Sequence, residues 1–307
     1  MQPTAQIAIL GAGLIGSAWA ALFQHYGANV HIWDPVPDAL AGISDRMAKP
    51  LAQLSRIAPE AGPLGIVTRC DTLAQAIAGA DLIQENAPED IATKHALYAK
   101  IEPLMRPGAI LASSTSALTW SELGPGLHDP ARLITAHPFN PPHLVPLVET
   151  YGIDHARLDR AEAIYRMADR VPVRLTKDAT GHIANRLASA LWREAVFMVQ
   201  EGIADVEAID SALINGPGLR WSVVGAHMAY HLGGGSAGMA GYLAHLGPSQ
   251  ERRWSDLGAP SLTPDVQAAL IAGTEREAAG RSMSELEAIR DHALIAALRA
   301  RKEAPHV

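Results

Sequence analysis

Between an apolar run, Gln6 to Leu10, and a helical stretch, Leu14 to Tyr26, the chain reads Gly11-Ala12-Gly13-Leu14-Ile15-Gly16. Gly27 closes the helical stretch, and Asn29 to Trp33 follows as a second strand that ends on Asp34. Strand, glycine turn, helix and strand within about thirty residues is the size of one βαβ unit. Each glycine has a physical task in such a unit. Gly11 permits the tight turn, Gly13 lets the backbone approach a pyrophosphate at the helix N-terminus, and Gly16 allows the helix to pack closely on the strand. A lone G-x-G-x-x-G is weak evidence. Here it follows a strand, opens a helix and is trailed by an acidic residue about twenty positions on, which is the context a dinucleotide site requires. Asp34 can accept hydrogen bonds from both adenosine ribose hydroxyls and would repel a 2′-phosphate. The expected cofactor is therefore NAD rather than NADP, held by Gly11, Gly13, Leu14, Ile15, Gly16 and Asp34.

The alternation continues downstream. Apolar runs at Leu82-Ile83, Ala109 to Ala112 and Arg132 to Ala136 are separated by helical segments, which implies a doubly wound parallel sheet. The texture changes near residue 180. Gly181 to Val206 reads as one long helix, followed by a Gly-rich stretch and two more helical segments, including Ser284 to Arg301, with almost no strand signal. Gly233-Gly234-Gly235 is too short for a linker, and Ser261 to Pro264 reads as a turn before a helix. The expected architecture is an α/β Rossmann-type domain over residues 1–179 and an all-α domain over residues 180–307, with the boundary at about Thr176–Thr180. Apolar stretches such as Ala195 to Val199 and Ala293 to Leu298 exceed what one small helical domain covers, which points to a homodimer.

Composition removes several classes. Of 307 residues, 48% are hydrophobic and 19% charged, an ordinary globular balance, so disorder is not the default. The net charge of -7 argues against wholesale nucleic-acid binding, though not against a local cationic pocket. Cys70 is the only cysteine, so neither an internal disulfide nor a cysteine zinc site is expected, and the 13 histidines form no HExxH-type pair. The N-terminus lacks a basic segment of the signal-peptide kind, and no apolar run reaches membrane-spanning length, so a cytoplasmic protein is expected.

Two loops follow strands and would lie at their carboxyl ends, where ligands bind in open α/β sheets. They are Ser113-Ser114-Thr115-Ser116 and His137-Pro138-Phe139-Asn140-Pro141. Glu149 comes next, in Leu147-Val148-Glu149, and Asn185 lies in Gly181-His182-Ile183-Ala184-Asn185-Arg186. Taken alone, a histidine beside a proline in a loop is more often structural. Together these segments, and the intervals from Ser116 to His137 and from His137 to Glu149, resemble the 3-hydroxyacyl-CoA dehydrogenase family, and the resemblance covers nearly the whole chain. It implies that His137 is the catalytic base, that Glu149 is the carboxylate paired with it, and that Ser116 and Asn185 hold the substrate oxygen. The chemistry is sensible in itself. Hydride leaves a carbinol carbon only as the hydroxyl proton is removed, an imidazole suits that transfer near neutral pH, and a carboxylate behind the ring orients it. The family loop usually carries Asn where Ser114 stands, which puts the supporting hydrogen bonds in question. Glu89 and Lys94 match family positions near the nicotinamide ribose, against the competing reading of a solvated helix start.

The segment from Asp38 to Thr68 carries only Arg46, Lys49 and Arg56 and no cationic cluster of the kind a CoA nucleotide needs, which favours a small, non-CoA substrate. Gly216-Pro217-Gly218-Leu219-Arg220-Trp221, Gly235-Ser236-Ala237-Gly238-Met239, Leu246-Gly247-Pro248 and Ala279-Gly280-Arg281-Ser282 resemble the branch that holds L-carnitine dehydrogenase and lambda-crystallin (L-gulonate 3-dehydrogenase). The resemblance implies a small hydroxy acid substrate, carnitine or a close analogue first. L-gulonate, a 3-hydroxyacyl-CoA, or a crystallin-like structural role are the alternatives. Arg220 could meet the carboxylate and Trp221 the trimethylammonium group, with Tyr230 and Trp254 as further aromatic candidates. An Arg220 that bridges helices beside core aromatics is the competing reading.

Overall fold

The computed structural model describes residues 5–59 and 61–304. The chain divides into two compact units, Met1–Arg186 and Leu187–Val307.

The first unit runs β1 (Gln6–Leu10), α1 (Leu14–His25), β2 (Asn29–Trp33), α2 (Pro37–Ala41), α3 (Ile43–Ile57), β3 (Val67–Arg69), α4 (Leu73–Ile77), β4 (Leu82–Glu85), α5 (Ile91–Ile101), β5 (Ile110–Ser113), α6 (Trp120–Leu123), β6 (Leu133–Pro138), β7 (Leu147–Tyr151), α7 (His155–Met167) and β8 (Val171–Arg174). Among the described residues these strands form one eight-stranded sheet in the order β3-β2-β1-β4-β5-β6-β7-β8. The strand order reverses between β1 and β4, the switch point at which open α/β sheets leave a crevice beyond their carboxyl ends.

Side chains of β1 alternate between two apolar layers. Ile7 and Ile9 pack with Trp19, Leu22 and Phe23 of α1, Leu54 of α3 and Tyr165 of α7. Ala8 and Leu10 face the opposite layer, with Tyr98 and Ile101 of α5 and Leu111 of β5. A strand covered on both faces must be apolar throughout, so these strands stand out as unbroken runs in the sequence.

The doubly wound parallel sheet expected from the sequence is present, with one antiparallel pairing towards an edge. The first six strands are parallel, whereas β7 pairs antiparallel with β6 and β8 runs parallel to β7. The connection 139–146 is too short for a parallel return, which needs a crossover of roughly a dozen residues or more.

The single long helix expected over 181–206 is corrected. Gly181 (φ 75°) and His182 (φ 51°) are left-handed, so α8 begins only at Ala184 and runs Ala184–Gln200. At its other end Gly202 (φ 67°) closes the turn, and the Asp205 carboxylate accepts the Ala208 N–H to cap the next helix.

Beyond α8, the second unit comprises α9 (Val206–Asn215), α10 (Pro217–Trp221), α11 (Ala226–Gly233), α12 (Gly238–Asp256), α13 (Pro264–Ala278) and α14 (Met283–Glu303). The turn expected at Ser261–Pro264 is the capped start of α13, where Thr263 accepts the Val266 N–H. Val196 and Ile295 are among the few apolar side chains this unit buries, while Leu187, Leu191, Trp192, Leu219 and Trp254 are exposed. No helix among the described residues is long and apolar enough to cross a membrane.

Candidate active site

The glycine turn fits the tasks assigned to it. Gly11 adopts φ 96°, and a Cβ on Gly16 would stand 1.9 Å from the Gly11 carbonyl oxygen, closer than any atom can approach. A Cβ on Gly13 would meet nothing within 4 Å, and no side chain caps the N-terminus of α1. The turn therefore presents an open face and uncapped helix N–H groups, the setting a pyrophosphate takes. Asp34 Oδ2 accepts the Ala12 N–H at 2.7 Å and Oδ1 accepts the Val36 N–H at 2.8 Å. Each carboxylate oxygen keeps a further lone pair for a ribose hydroxyl. Arg46 donates from Nε to the Ala12 carbonyl at 3.0 Å, so side chains hold both the N–H and the C=O of Ala12.

The next tier of the site hangs from the end of β4. Glu85 is fully buried. Its Oε1 accepts the Ala87 N–H and Lys94 Nζ, and its Oε2 accepts the Tyr98 and Ser113 hydroxyls, so the charge is met on every side. Lys94 is 1% exposed and stands 3.8 Å from Glu89 Oε2. Glu89 Oε1 accepts the Thr115 hydroxyl and the backbone N–H groups of Ser116 and Ala117, each at 2.7 Å. Burial alone would raise the Glu89 pKa, but those donors and the Lys94 charge outweigh it and hold the carboxyl below its ordinary range. The solvated helix start considered for these two residues does not hold for Lys94, which is buried, whereas Glu89 remains partly exposed. Lys94 is turned into the unit, where it neutralises Glu85, and Glu89 pins the loop that carries Ser116.

Ser114, where the family usually has Asn, keeps a full set of partners. Gln84 Nε2 donates to its hydroxyl at 2.8 Å and Trp19 Nε1 at 3.3 Å, while the hydroxyl donates to Asn86 Oδ1 at 2.7 Å. Gln84 is fixed in turn by the Tyr165 hydroxyl.

His137 and Glu149 face each other across the antiparallel β6–β7 pair, as directly registered neighbours. Their side chains therefore share a face of the sheet. Nδ1 of His137 lies 2.9 Å from Glu149 Oε2. An ionised carboxylate only accepts, so Nδ1 carries the proton and Nε2 keeps the free lone pair. Glu149 Oε1 accepts the N–H groups of Ile183 and Ala184, at 2.7 and 2.8 Å, where α8 begins. Burial pushes the Glu149 pKa up, yet hydrogen bonds from His137, Ala184 and Ile183 prevail and keep it below the usual carboxylate range.

A cleft of about 410 Å³ opens in front of this pair. Ile15, Glu89, Ser116, His137 and Asn185 all border it, together with Asn86 and Phe139. Asn185 Nδ2 approaches the Ser116 carbonyl oxygen at 3.4 Å. Glu149 is not part of the lining and stands behind His137. Leu14 is solvent-exposed at the first turn of α1. Arg220 and Trp221 lie on α10 of the second unit. His137, Glu149 and His182 bring possible metal-ligating atoms within 4.8 Å of one another. However, Nδ1 of His137 is already committed to Glu149, and the two imidazoles are stacked at 19°. A metal must lie near the plane of each ring it binds, which stacked rings do not allow, so these residues form a hydrogen-bonded and stacked group.

The family model described as "3-hydroxyacyl-CoA dehydrogenase, NAD binding domain" matches residues 6–179, and that described as "3-hydroxyacyl-CoA dehydrogenase, C-terminal domain" matches residues 181–259. The chain belongs to the 3-hydroxyacyl-CoA dehydrogenase family. Like the family, it is an NAD-dependent dehydrogenase acting on a CH–OH group. Among its relatives, the L-carnitine dehydrogenase of Nocardiopsis dassonvillei is 43% identical over 301 residues, covering 97% of this chain and 92% of that protein. The L-carnitine dehydrogenase of Streptomyces coelicolor is 40% identical over 299 residues, covering 96% of this chain and 94% of that one. A solved structure of an NAD+-dependent 5-formyl-3-hydroxy-2-methylpyridine-4-carboxylic acid 5-dehydrogenase superposes with a TM-score of 0.83 at 26% identity, over 98% of this chain and all of that one.

Glu85 had not been singled out from sequence, although the polar ending of its apolar strand, Gln84-Glu85-Asn86, was a usable signal.

Proposed function

We propose that this dehydrogenase oxidises the 3-hydroxyl of a small 3-hydroxy acid to the 3-keto acid, with L-carnitine or a close analogue as the substrate. The observation that carries the reaction is the buried hydrogen bond between His137 Nδ1 and Glu149 Oε2, at a cleft lined by Ser116 and Asn185. His137 Nε2 takes the hydroxyl proton as hydride leaves the carbinol carbon. Glu149 keeps the ring oriented and stabilises the imidazolium that results. Ser116 and Asn185 hold the substrate oxygen and so fix the reacting carbon. When bound, NAD supplies the hydride acceptor. Gly11, Gly13, Leu14, Ile15 and Gly16 would hold its pyrophosphate, Asp34 its adenosine ribose, and Glu89, steadied by Lys94, would face its nicotinamide ribose.

Carnitine is favoured by the near full-length identity to proteins named L-carnitine dehydrogenase and by the lack of a cationic cluster between Asp38 and Thr68. Its carboxylate needs a cation and its trimethylammonium group an aromatic face, roles we assign to Arg220 and Trp221. NADH formation measured over a panel of 3-hydroxy acids tests the assignment. Carnitine or a close analogue should give the highest kcat/KM, and a CoA thioester that outperforms every small acid would overturn it.

The exposed apolar side chains Leu187, Leu191 and Trp192 on α8 support a homodimer formed through the helical unit. A stable monomer in sedimentation at micromolar concentration would exclude it.

A further inference from the structure

We propose that His182 is a positioning residue for the proton-transfer step, its imidazole lying flat against His137 and fixing the plane of that base. The inference rests on His137 being the base, and it adds a residue with no role in the reaction as described so far.

Four observations converge on it. The His182 ring stacks on that of His137, with centroids 4.9 Å apart and planes inclined by 19°. His182 is 3% exposed, and its Nδ1 is buried without a hydrogen-bond partner, so the ring is not retained there for its own hydrogen bonding. Its backbone is left-handed, φ 51°, an uncommon conformation for a residue with a Cβ. The next two residues, Ile183 and Ala184, donate their N–H groups to Glu149 Oε1, while Glu149 Oε2 receives His137. One carboxylate thus tethers both the base and the segment that lays a second ring over it.

The need for such a ring follows from the geometry of the base. A single hydrogen bond at Nδ1 fixes where the imidazole hangs but leaves it free to rock about that bond. Rocking sweeps Nε2, the atom that must meet the hydroxyl proton. A flat aromatic neighbour removes that motion and keeps water off one face of the ring.

Neutrality is the second requirement, since an imidazolium at this distance would oppose the charge His137 acquires. Burial disfavours the charged form of His182, and the proximity of His137 adds to it. Glu149, Asp178 and Glu89 pull the other way without prevailing, and the His182 pKa stays below its ordinary value.

The test compares His182→Ala, His182→Phe and His137→Ala in the full-length enzyme by steady-state kinetics and NADH fluorescence titration. His182→Ala should lower kcat by about 10- to 100-fold, the scale of a small misplacement of a reacting group. KM for the hydroxy acid and NADH affinity should change little. His182→Phe restores a flat, neutral ring and should recover most of the lost turnover. In the His137→Ala background, His182→Ala should cost nothing further, because it acts through His137. If His137→Ala abolishes turnover while His182→Ala keeps it, or if His182→Phe is as impaired as His182→Ala, the positioning role is wrong and the base assignment stands. If His137→Ala itself retains turnover, the base assignment fails first.

Discussion

His137 and Glu149 sit directly opposite each other on antiparallel strands, and the 2.9 Å contact between Nδ1 and Oε2 leaves only Nε2 of the imidazole available to a substrate. Removing the ring removes an acceptor needed only as charge develops, so His137→Ala should lower kcat by roughly 10²- to 10⁴-fold. Glu149→Gln keeps the shape but not the charge that stabilises the imidazolium, and should also lower kcat strongly. NADH binding, followed by fluorescence, should barely change in either, because the glycine turn is a separate loop. More than about a tenth of wild-type turnover in His137→Ala would contradict the assignment.

Acid sensitivity should come in two windows. The folded pKa of Glu149 is depressed, so its contribution to stability is present above the ordinary carboxylate value of 4.5 and is lost as the pH falls through the folded value. The stability advantage of wild type over Glu149→Gln should shrink in that range. The folded pKa of His182 is depressed below 6.5, so the unfolded chain binds the extra proton first and stability falls as the pH drops below 6.5. His182→Phe should therefore gain in Tm relative to wild type as the pH falls below 6.5. A difference independent of pH would refute the burial of a neutral imidazole there.

Two glycine variants should behave differently. Gly16→Ala drives a methyl group into the Gly11 carbonyl, and backbone on both sides leaves nothing flexible to yield. Both Tm and NADH affinity should drop. Gly13→Ala meets open space, so Tm should hold while NADH affinity falls, the methyl group standing where the pyrophosphate approaches. Equal loss of Tm in both would count against this division.

Asp34 should exclude NADP. A 2′-phosphate brought against its carboxylate would cost a few kcal/mol at an effective dielectric of about 20, or on the order of 10²-fold or more in kcat/KM. Comparable kcat/KM values for the two cofactors would refute this.

Lys94→Met leaves the buried Glu85 charge unopposed and should cost about 3–5 kcal/mol in urea unfolding. Adding Glu85→Gln should restore part of the loss. A single variant as stable as wild type would mean that the pair is not buried as described.

Much of the first unit was legible because its signals are local. The glycine turn, the helix it opens and the strand ending on Asp34 depend on backbone sterics within one βαβ unit. Strands buried on both faces advertise themselves as apolar runs. Short strands outside that pattern, β3, β7 and β8, did not, and the two left-handed residues ahead of α8 were hidden inside a helical pattern.

The site divides along the same line. The residue types at positions 116, 137, 149 and 185 could be read from the chain through their likeness to a family. Their meeting could not be read that way. Antiparallel register sets His137 against Glu149, and packing between distant segments brings the start of α8 onto that same carboxylate. The burial of Lys94 against Glu85 and the stacking of His182 on His137 were likewise decided only by the tertiary structure. Propensity and periodicity act over a few residues, whereas a buried charge or a stacked ring depends on which distant side chain arrives beside it.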